Sequence, residues 1–252
     1  MVKIRIQTGR VIAVMTLLTI VAVIFAWFYY SGINSSEDPR VIEAKRIYAN
    51  YSRFSEAEDF GGMISSLDSI QAIYKSVDHY ADSYEMGVIH NNRCAIFLHH
   101  AIHKCEDSIL RKKNIDTANE YANKSIAIYN GWIKEFGSLN TSEVKTKISA
   151  DFALESFDLS DQMKEKILDK RVEEILDAQF EISRRLSVCY TNWGIILRHK
   201  EKYQEAGDCY VKAMKLWKEN LTAKNNLNIL LGRPQEKRSM IKKLFPEDRK
   251  ER

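Results

Sequence analysis

The sequence predicts an all-α protein in which helix hairpins follow a single apolar N-terminal segment. Only 10 glycines and 3 prolines occur among 252 residues, and no proline lies between residues 40 and 233. A β-sandwich or β-barrel needs turn residues about every 8–12 positions, and this chain lacks them. Apolar residues instead recur at alternating steps of three and four, the spacing of one helix face. Hydrophobic residues make up 45% of the chain, which is enough to bury a core.

An uncharged apolar segment, VIAVMTLLTIVAVIFAWFYY, fills residues 11–30 and follows a basic N-terminus at residues 1–10. About 20 residues of helix span the roughly 30 Å hydrocarbon core of a bilayer. Trp27, Tyr29 and Tyr30 lie at one end, where an aromatic belt is expected. A cleaved signal peptide is the alternative, but its apolar region is shorter, about 7–15 residues, and small residues mark its cleavage site. We therefore predict a transmembrane anchor at residues 11–30.

The distribution of charge predicts the orientation of this segment. Lys3, Arg5 and Arg10 precede it without any acidic residue. Basic residues close to a membrane favour the cytoplasmic side, and no second apolar run is long enough to span a bilayer. We expect a single-pass membrane protein with a cytoplasmic N-terminus and a linker at residues 31–37. The remainder is expected outside the cytoplasm, in a periplasmic or extracellular location.

The domain at residues 38–232 begins with a helix start signal. Asp38 suits an N-cap, and Pro39 suits the first helical position. The pair Gly61-Gly62 predicts a break or a close helix contact, because glycine has no side chain. Apolar spacing predicts helices at Ile64–Tyr74, Asp82–His103, Thr117–Phe136 and Thr141–Ser156, with a loop at Arg111–Asn114.

The longest apolar pattern covers Asp161–His199 without interruption. A helix of this length exceeds the usual range of about 8–20 residues and is typical of helical repeats. Further helices are predicted at Tyr203–Lys218, at Leu221–Leu231 and at Pro234–Leu244, the last as a basic cap within the tail at residues 233–252.

An internal repeat of 34 residues separates Asn192-Trp193 from Asn226-Leu227. Within the period Ser187–Asn220, large and small residues occur where two antiparallel helices would approach, at Trp193, Gly194, Leu197, Tyr203, Ala206, Tyr210 and Ala213. This pattern resembles the tetratricopeptide repeat (TPR) family. The proline that the family places near the repeat end is absent, and Lys218 stands there. The resemblance implies a stack of helix hairpins, an α-solenoid, with the first helices lining a concave face.

A more divergent copy of the repeat lies earlier in the chain. Residues 92–97 parallel residues 192–197 at an offset of 100 residues, so that Cys94 aligns with Gly194. Ala118, Ala122 and Ser125 parallel Ala206, Tyr210 and Ala213 at an offset of 88. This copy is therefore expected to carry about twelve additional residues at its turn, within the range of inter-helix insertions that repeat proteins accept.

The concave face supplies the candidate binding residues. In the TPR family the residue before the large position of the first helix points into this face, and here it is Asn92, Asn192 or Asn226. A side-chain amide both donates and accepts, so it can bind a peptide backbone. Arg198 and His199 are expected to add positive charge to the same groove. The resemblance implies a protein or peptide partner; alternatively, the asparagines only bond neighbouring helices and the C-terminal helix covers Asn226.

Nucleic-acid and metal binding find less support. The basic excess lies at residues 1–30 and 233–252, and no basic stripe crosses the body, so no nucleic-acid partner is expected. Residues 90–105 hold four histidines and two cysteines. The pairs His90/Cys94 and His99/His103 lie on different helix faces, however, and no complete ligand set is visible. We expect partly exposed helix histidines there rather than a metal centre.

Motifs for catalysis are also missing. No phosphate loop, dinucleotide fingerprint or nucleophile elbow occurs, so neither an enzyme nor a cofactor is expected. The four cysteines are expected as small buried residues, although Cys189 and Cys209 could meet on facing helices. We interpret the chain as a membrane-anchored scaffold or adaptor that binds a protein or peptide in its groove. The alternatives are a homo-oligomerising structural protein and a metal-binding sensor or enzyme that uses residues 90–105.

Overall fold

The computed structural model describes residues 15–16, 18–21, 23, 36–150, 152, 154 and 157–237. All regular structure in these ranges is helical, which confirms the predicted all-α class. The helices, numbered in chain order, are α1 (Ile42–Glu56), α2 (Phe60–Lys75), α3 (Asp78–Ala81), α4 (Tyr84–His103), α5 (Ser108–Phe136), α6 (Thr141–Ser149), α7 (Asp161–His199), α8 (Tyr203–Leu216) and α9 (Leu221–Leu230).

Helices that follow one another in sequence pack as antiparallel pairs: α1 with α2, α4 with α5, and the C-terminal half of α7 with α8. In the second pair the hydroxyl of Ser125 donates to the carbonyl of Gly87 at 2.7 Å. In the third pair the hydroxyl of Ser187 donates to the carbonyl of Ala213, also at 2.7 Å. Helix α9 then packs on α8, and α7 lies against α5, so each pair contacts the next.

Two glycines allow the closest approach within these pairs. A Cβ on Gly87 would lie 2.6 Å from the ring of Tyr129, and one on Gly194 would lie 2.5 Å from the ring of Tyr210. Because interiors are close-packed, a side chain at either position would push the helices apart. The two contacts are equivalent and make Gly87, not Cys94, the counterpart of Gly194. The predicted alignment of the earlier copy is therefore displaced by seven residues, which is two helical turns.

Buried apolar residues join the pairs into adjoining clusters. One cluster connects α5, α6, α7 and α8 and includes Tyr129 and Tyr210. A second connects α1, α2 and α4 and includes Leu67 and Ile89. A third, around Ile196, connects α4, α5 and α7. Because α4, α5 and α7 each contribute to more than one cluster, the helix pairs share a continuous core.

The first two helices begin and end at places that differ from the prediction. Asp38 accepts a hydrogen bond from the backbone N–H of Arg40 at 3.0 Å, which forms a turn, and α1 starts only at Ile42. The break after α1 lies just before the glycine pair, where Glu58 has a left-handed φ of 51°. Asp59 then caps α2 by accepting a hydrogen bond from the N–H of Gly62 at 2.9 Å.

Two later boundaries also differ. Helix α5 starts at Ser108 and is capped by Asp107, so residues 111–114, predicted as a loop, are helical. Helix α6 begins with a capping box between Asn140 and Glu143 and ends at Ser149 instead of Ser156. It ends early because Phe152 and Leu154 pack against Ile167 of α7. Residues 151, 153, 155 and 156 lie outside the described residues.

The long helix predicted at Asp161–His199 is confirmed as α7, and Ser160 caps it. After α9, Gly232 adopts a left-handed φ of 67°, and residues 231–237 are not helical. The N–H of Glu236 donates to the side chain of Asn225 at 2.7 Å, which holds this segment against α9. The predicted basic cap therefore does not begin at Pro234, and its residues after 237 lie outside the described part of the chain.

The predicted localisation is corrected by the structure. Among the described residues, no helix combines the length and the apolar character needed to cross a bilayer. This finding contradicts the prediction of a single-pass membrane protein with its repeat domain outside the cytoplasm. Within the segment 11–30, only residues 15–16, 18–21 and 23 are described, and they are helical and exposed. The remainder of that segment, residues 1–10 and most of the linker 31–37 lie outside the described residues.

The four cysteines are buried and carry free thiols, as expected of small core residues. Cys189 does not pair with Cys209; its Sγ lies 3.2 Å from Oγ of Ser125 on α5. Burial raises the pKa of Cys189 to about 12, so its thiol stays protonated at neutral pH.

Candidate functional site

The predicted groove residues lie on helices α1, α4, α7 and α9, and polar contacts connect these helices. Nδ2 of Asn92 donates to the hydroxyl of Tyr48 on α1 at 3.3 Å. Nδ2 of Asn192 donates to Oδ1 of Asn91 on α4 at 3.1 Å. We call the surface that these contacts cross the polar face, defined by Tyr48, Asn92, Asn192, Arg198 and Asn226.

The positively charged side chain of Arg198 on α7 contacts α9. Nη1 of Arg198 donates to Oδ1 of Asn226 at 3.2 Å. Asn226 also donates from Nδ2 to the carbonyl of Thr222 at 2.9 Å, so both ends of its amide are engaged. Within the described residues no carboxylate pairs with Arg198, so its positive charge is available to a ligand.

The side-chain amides of Asn92 and Asn192 use their donor but not their acceptor. In each, Nδ2 donates to a neighbouring helix, whereas Oδ1 accepts no hydrogen bond from the part of the chain that the structure describes. Both side chains are partly exposed. An amide oxygen that is held in place in this way can accept a hydrogen bond from a backbone N–H. Bonding to neighbouring helices and facing a groove are therefore compatible for these two residues.

His199 lies apart from these contacts, exposed at the C-terminal end of α7. Partial burial, followed by the charges of Arg198 and Arg111, lowers its pKa. Its imidazole is therefore neutral at neutral pH. Arg198, whose guanidinium is always charged, therefore supplies the lasting positive charge near this end of the polar face.

A cavity of about 270 Å³ opens at one end of the polar face, between α1, α2 and the C-terminal part of α4. Tyr51, Phe60 and Met63 line it, with His99 and His100 at one side. Burial, followed by the neighbouring Tyr48, raises the pKa of Tyr51 to about 12, so that its hydroxyl stays protonated. We call this the aromatic cavity. Small-molecule pockets measure about 300–1,000 Å³, so this volume suits a single large side chain.

A second cavity, of about 290 Å³, opens between the N-terminal parts of α1 and α4 and the middle of α7. Tyr74 and Tyr84 form its apolar walls. Nε of Arg185, which also lines it, is buried and has no hydrogen-bond partner among the described residues. We call this the charged cavity, because its remaining lining residues are mostly ionic: Lys45, Glu85, Glu174, Asp177, Ala178 and Glu181.

Asn92 lies between the two cavities on α4. Glu85 lines the charged cavity, and Ile96 lines the aromatic cavity. At about 1.5 Å rise per residue, they lie roughly 16 Å apart along the helix. An extended chain, at about 3.3 Å per residue, covers that distance in roughly five residues. The polar face could therefore hold a short extended segment with a side chain in each cavity.

A buried ion cluster fixes α7 against α4 beside the charged cavity. Arg171 is 2% exposed and pairs with Glu85 at 2.5 Å and with Glu174 at 3.1 Å. Its Nε donates to Nε2 of His79 at 3.1 Å, and its guanidinium carbon lies 4.2 Å from the ring centre of Tyr80. Burial alone would raise the pKa of Glu85, but the charge and hydrogen bonds of Arg171 outweigh it and lower that pKa.

The histidines and cysteines of the segment 90–105 make contacts in different places. The rings of His99 and His103 lie 4.8 Å apart. His100 faces elsewhere, with Nδ1 3.1 Å from Sγ of Cys105. Across the described ranges, no three metal-ligating side chains converge, here or elsewhere.

The sequence did not reveal the cavities or the ion cluster. Arg171 and Glu85 are 86 positions apart, and neither belongs to a local motif. Tyr48, Tyr51 and Ser55 did carry a signal, because they recur at helical spacing on α1 and interrupt its apolar pattern. Comparison of the chain with protein-family models, with curated proteins and with solved structures found no match.

Proposed function

We propose that the chain is a helical-repeat scaffold, of the TPR-like solenoid type, that binds an extended segment of a protein partner along the polar face. One observation carries this proposal. The side-chain amides of Asn92 and Asn192 each have an Oδ1 that accepts no hydrogen bond from the described residues, and the face on which they lie has a cavity near each end of α4. Concave faces built from stacked helix pairs are the surfaces that solenoid proteins use for binding.

The repeated packing of the helix pairs supports the solenoid part of the proposal. The pairs α4/α5 and α7/α8 share a glycine–tyrosine contact at equivalent places, Gly87 with Tyr129 and Gly194 with Tyr210. Each pair contacts its neighbours, and α9 continues the series on α8. In solenoids, stability comes from such nearest-neighbour interfaces.

The polar face suggests how a segment would be bound. Oδ1 of Asn92 and Oδ1 of Asn192 would accept hydrogen bonds from backbone N–H groups, while Arg198 would donate to a carbonyl or carboxylate. The aromatic cavity would take an apolar side chain about five residues away from the one in the charged cavity. Because neighbouring helices already hold both amides, little side-chain freedom is lost on binding.

Selection from a random peptide library on the immobilised full-length chain tests this proposal. Selected peptides are titrated by fluorescence anisotropy against the wild type and the double variant Asn92→Ala, Asn192→Ala. Two lost hydrogen bonds at about 0.5–1.5 kcal/mol each should weaken binding by about tenfold or more. The matched control is Asn123→Ala, an exposed asparagine on α5 that bonds only its own helix. Equal affinity for the double variant and the control would refute the proposal.

A further inference from the structure

An arginine with one unused donor lies on α4, about 100° around the helix axis from Asn92 of the polar face. Arg93 is 4% exposed; its Nη2 donates to Asp68 on α2 at 2.6 Å, and its Nη1 donates to Gln71. Its Nε is buried and has no hydrogen-bond partner among the described residues. Nε and Nη2 form the edge of a guanidinium that can bind two oxygens of one anion side by side. Only one of those two donors is used.

In Arg40, both donors of the equivalent Nε–Nη2 edge are bonded. Its Nε donates to Oδ1 of Asp38 at 3.0 Å, and its Nη2 donates to Oδ2 at 2.8 Å. Asp38 is 4% exposed, whereas the side chain of Asp68 is 64% exposed and reaches Arg93 through one oxygen. Asp68 is therefore an incomplete partner that an external anion can displace.

The groups near Arg93 are positively charged or have an unpaired nitrogen. His90, one turn earlier on α4, is 7% exposed, and its Nδ1 is buried without a partner in the part of the chain that the structure describes. Burial, followed by the charges of Arg93, Lys124 and Lys75, lowers the pKa of His90 to about 4. Lys75 on α2 and Lys124 on α5 are exposed, and their charges act on His90.

Tyr121 of α5 holds these groups together. Its ring stacks on His90 with centroids 5.8 Å apart. The guanidinium carbon of Arg93 lies 5.5 Å from the ring centre, and Nζ of Lys124 lies 5.3 Å from it. The ring of Tyr121 thus contacts the buried side chains of His90 and Arg93 and the exposed Lys124.

We propose that Arg93, His90, Lys75 and Lys124 form a binding site for a phosphate-type oxyanion, which displaces Asp68 and binds the Nε–Nη2 edge of Arg93. Buried donors in native proteins are paired with protein, water or an ion. A guanidinium can only donate, and it is always charged, so its missing partner is an acceptor that carries negative charge. The site shares no residue with the polar face or with the linings of its two cavities, so it does not rest on the proposed peptide binding.

Calorimetric titration of the full-length protein with inorganic phosphate, at constant ionic strength set with chloride, tests this site. The wild type should bind phosphate saturably. Asp68→Asn removes the competing carboxylate and should tighten binding by about tenfold. Lys75→Gln with Lys124→Gln should weaken it by about fivefold. Lys134→Gln, an exposed lysine further along α5, is the matched control and should change nothing.

Nuclear magnetic resonance of the histidine rings locates the bound anion. Phosphate should shift the ring signals of His90 in parallel with the calorimetric saturation, while those of His199 on α7 stay unchanged. The proposal is overturned by the absence of saturable binding, by weaker binding to Asp68→Asn, or by saturable binding that leaves the signals of His90 unchanged. Equal weakening by the control lysine would also overturn it, since a general charge effect would then be responsible.

Discussion

Asn220 and Asn192 both connect helices, but they differ in how much of each amide is used. Asn220 is 3% exposed; its Nδ2 donates to Ser187 at 2.8 Å and to Thr191 at 2.9 Å, and its Oδ1 accepts from the N–H of Ala223 at 3.0 Å. Asn192 is partly exposed and uses only Nδ2. A fully bonded buried amide stabilises the fold, whereas a half-bonded exposed amide retains capacity for a ligand.

This difference gives a prediction about stability. Asn220→Ala removes a helix cap and leaves buried hydroxyls without their donor, so the free energy of unfolding should fall by about 2–3 kcal/mol. Asn192→Ala should cost less than about 1 kcal/mol, because its partner Asn91 remains partly exposed to water. Urea denaturation followed by circular dichroism measures both. Equal losses for the two variants would contradict the distinction between them.

Acidification should destabilise the fold through two histidines, the buried His90 and the partly buried His79. Burial, followed by the charge of Arg171, lowers the pKa of His79 to about 4, and the pKa of His90 is also about 4. In the unfolded chain histidine titrates near pH 6.5. The unfolded state therefore binds more protons below that pH, and the free energy of unfolding should fall between about pH 6.5 and about pH 4.

The double variant His79→Gln, His90→Gln tests this pH dependence. Its free energy of unfolding should fall less than that of the wild type between about pH 7 and about pH 5, because the proton uptake on unfolding is removed. Urea denaturation in phosphate-free buffer keeps the proposed oxyanion site empty during the comparison. The same pH dependence in both proteins would exclude the two histidines as its source.

At the scale of helices, close approach depends on glycine at particular positions only. A Cβ at position 194 would meet the ring of Tyr210, so Gly194→Ala should destabilise the α7/α8 pair by about 1–3 kcal/mol. Gly131 on α5 is exposed, and a Cβ there would meet nothing within 4 Å. Gly131→Ala should therefore stabilise the protein by about 0.5–1 kcal/mol, because alanine favours helix more than glycine does.

Thermal unfolding of the two alanine variants checks this prediction. The melting temperature should fall for Gly194→Ala and rise for Gly131→Ala, because only the first glycine contacts a neighbouring helix. A rise for both would mean that the α7/α8 interface adjusts freely to an added methyl group.

The bounds of helices were predictable where apolar spacing and a cap coincide. The pattern over Asp161–His199 gave α7, since Ser160 caps it and mostly apolar residues recur at steps of three and four along one face. Residues 111–114 gave no apolar spacing, because Arg-Lys-Lys-Asn is polar throughout. The cap that starts α5, Asp107, lies four residues before them. The earlier repeat was misaligned by two turns because a shift of seven residues keeps the same helix face.

The candidate site was predictable only in part. The sequence predicted Asn192, Asn226 and Arg198, because they sit at fixed offsets in the repeated pattern. It predicted Asn92 from the misaligned earlier copy, in which a shift of seven residues keeps the same helix face. It did not predict which helix each amide contacts or where cavities open, because these depend on residues distant in the chain, such as Tyr48 beside Asn92. The sequence also did not indicate that burial, followed by the charges of Arg198 and Arg111, lowers the pKa of His199, because burial depends on packing with other helices.

At the scale of the whole molecule, the two proposed sites share no residue, although both include part of α4. Residues 85 and 99 line the two cavities, and Asn92 contacts α1. Because a helix turns about 100° per residue, His90 lies about 160° around α4 from Asn92, and Arg93 lies about 100° from it. Phosphate and a partner segment should therefore bind without competing, which titration of a selected peptide in the presence of phosphate would measure.

Hydrogen–deuterium exchange of the full-length chain, with and without a selected peptide, tests most directly that the polar face is the binding surface. The account predicts slower exchange on binding in the four helices of the polar face, α1, α4, the C-terminal half of α7 and α9, and at Phe60 and Met63 of α2, with α5 and α8 unchanged. Slower exchange confined to α5 or α8, or none in the four helices of the polar face, would contradict it.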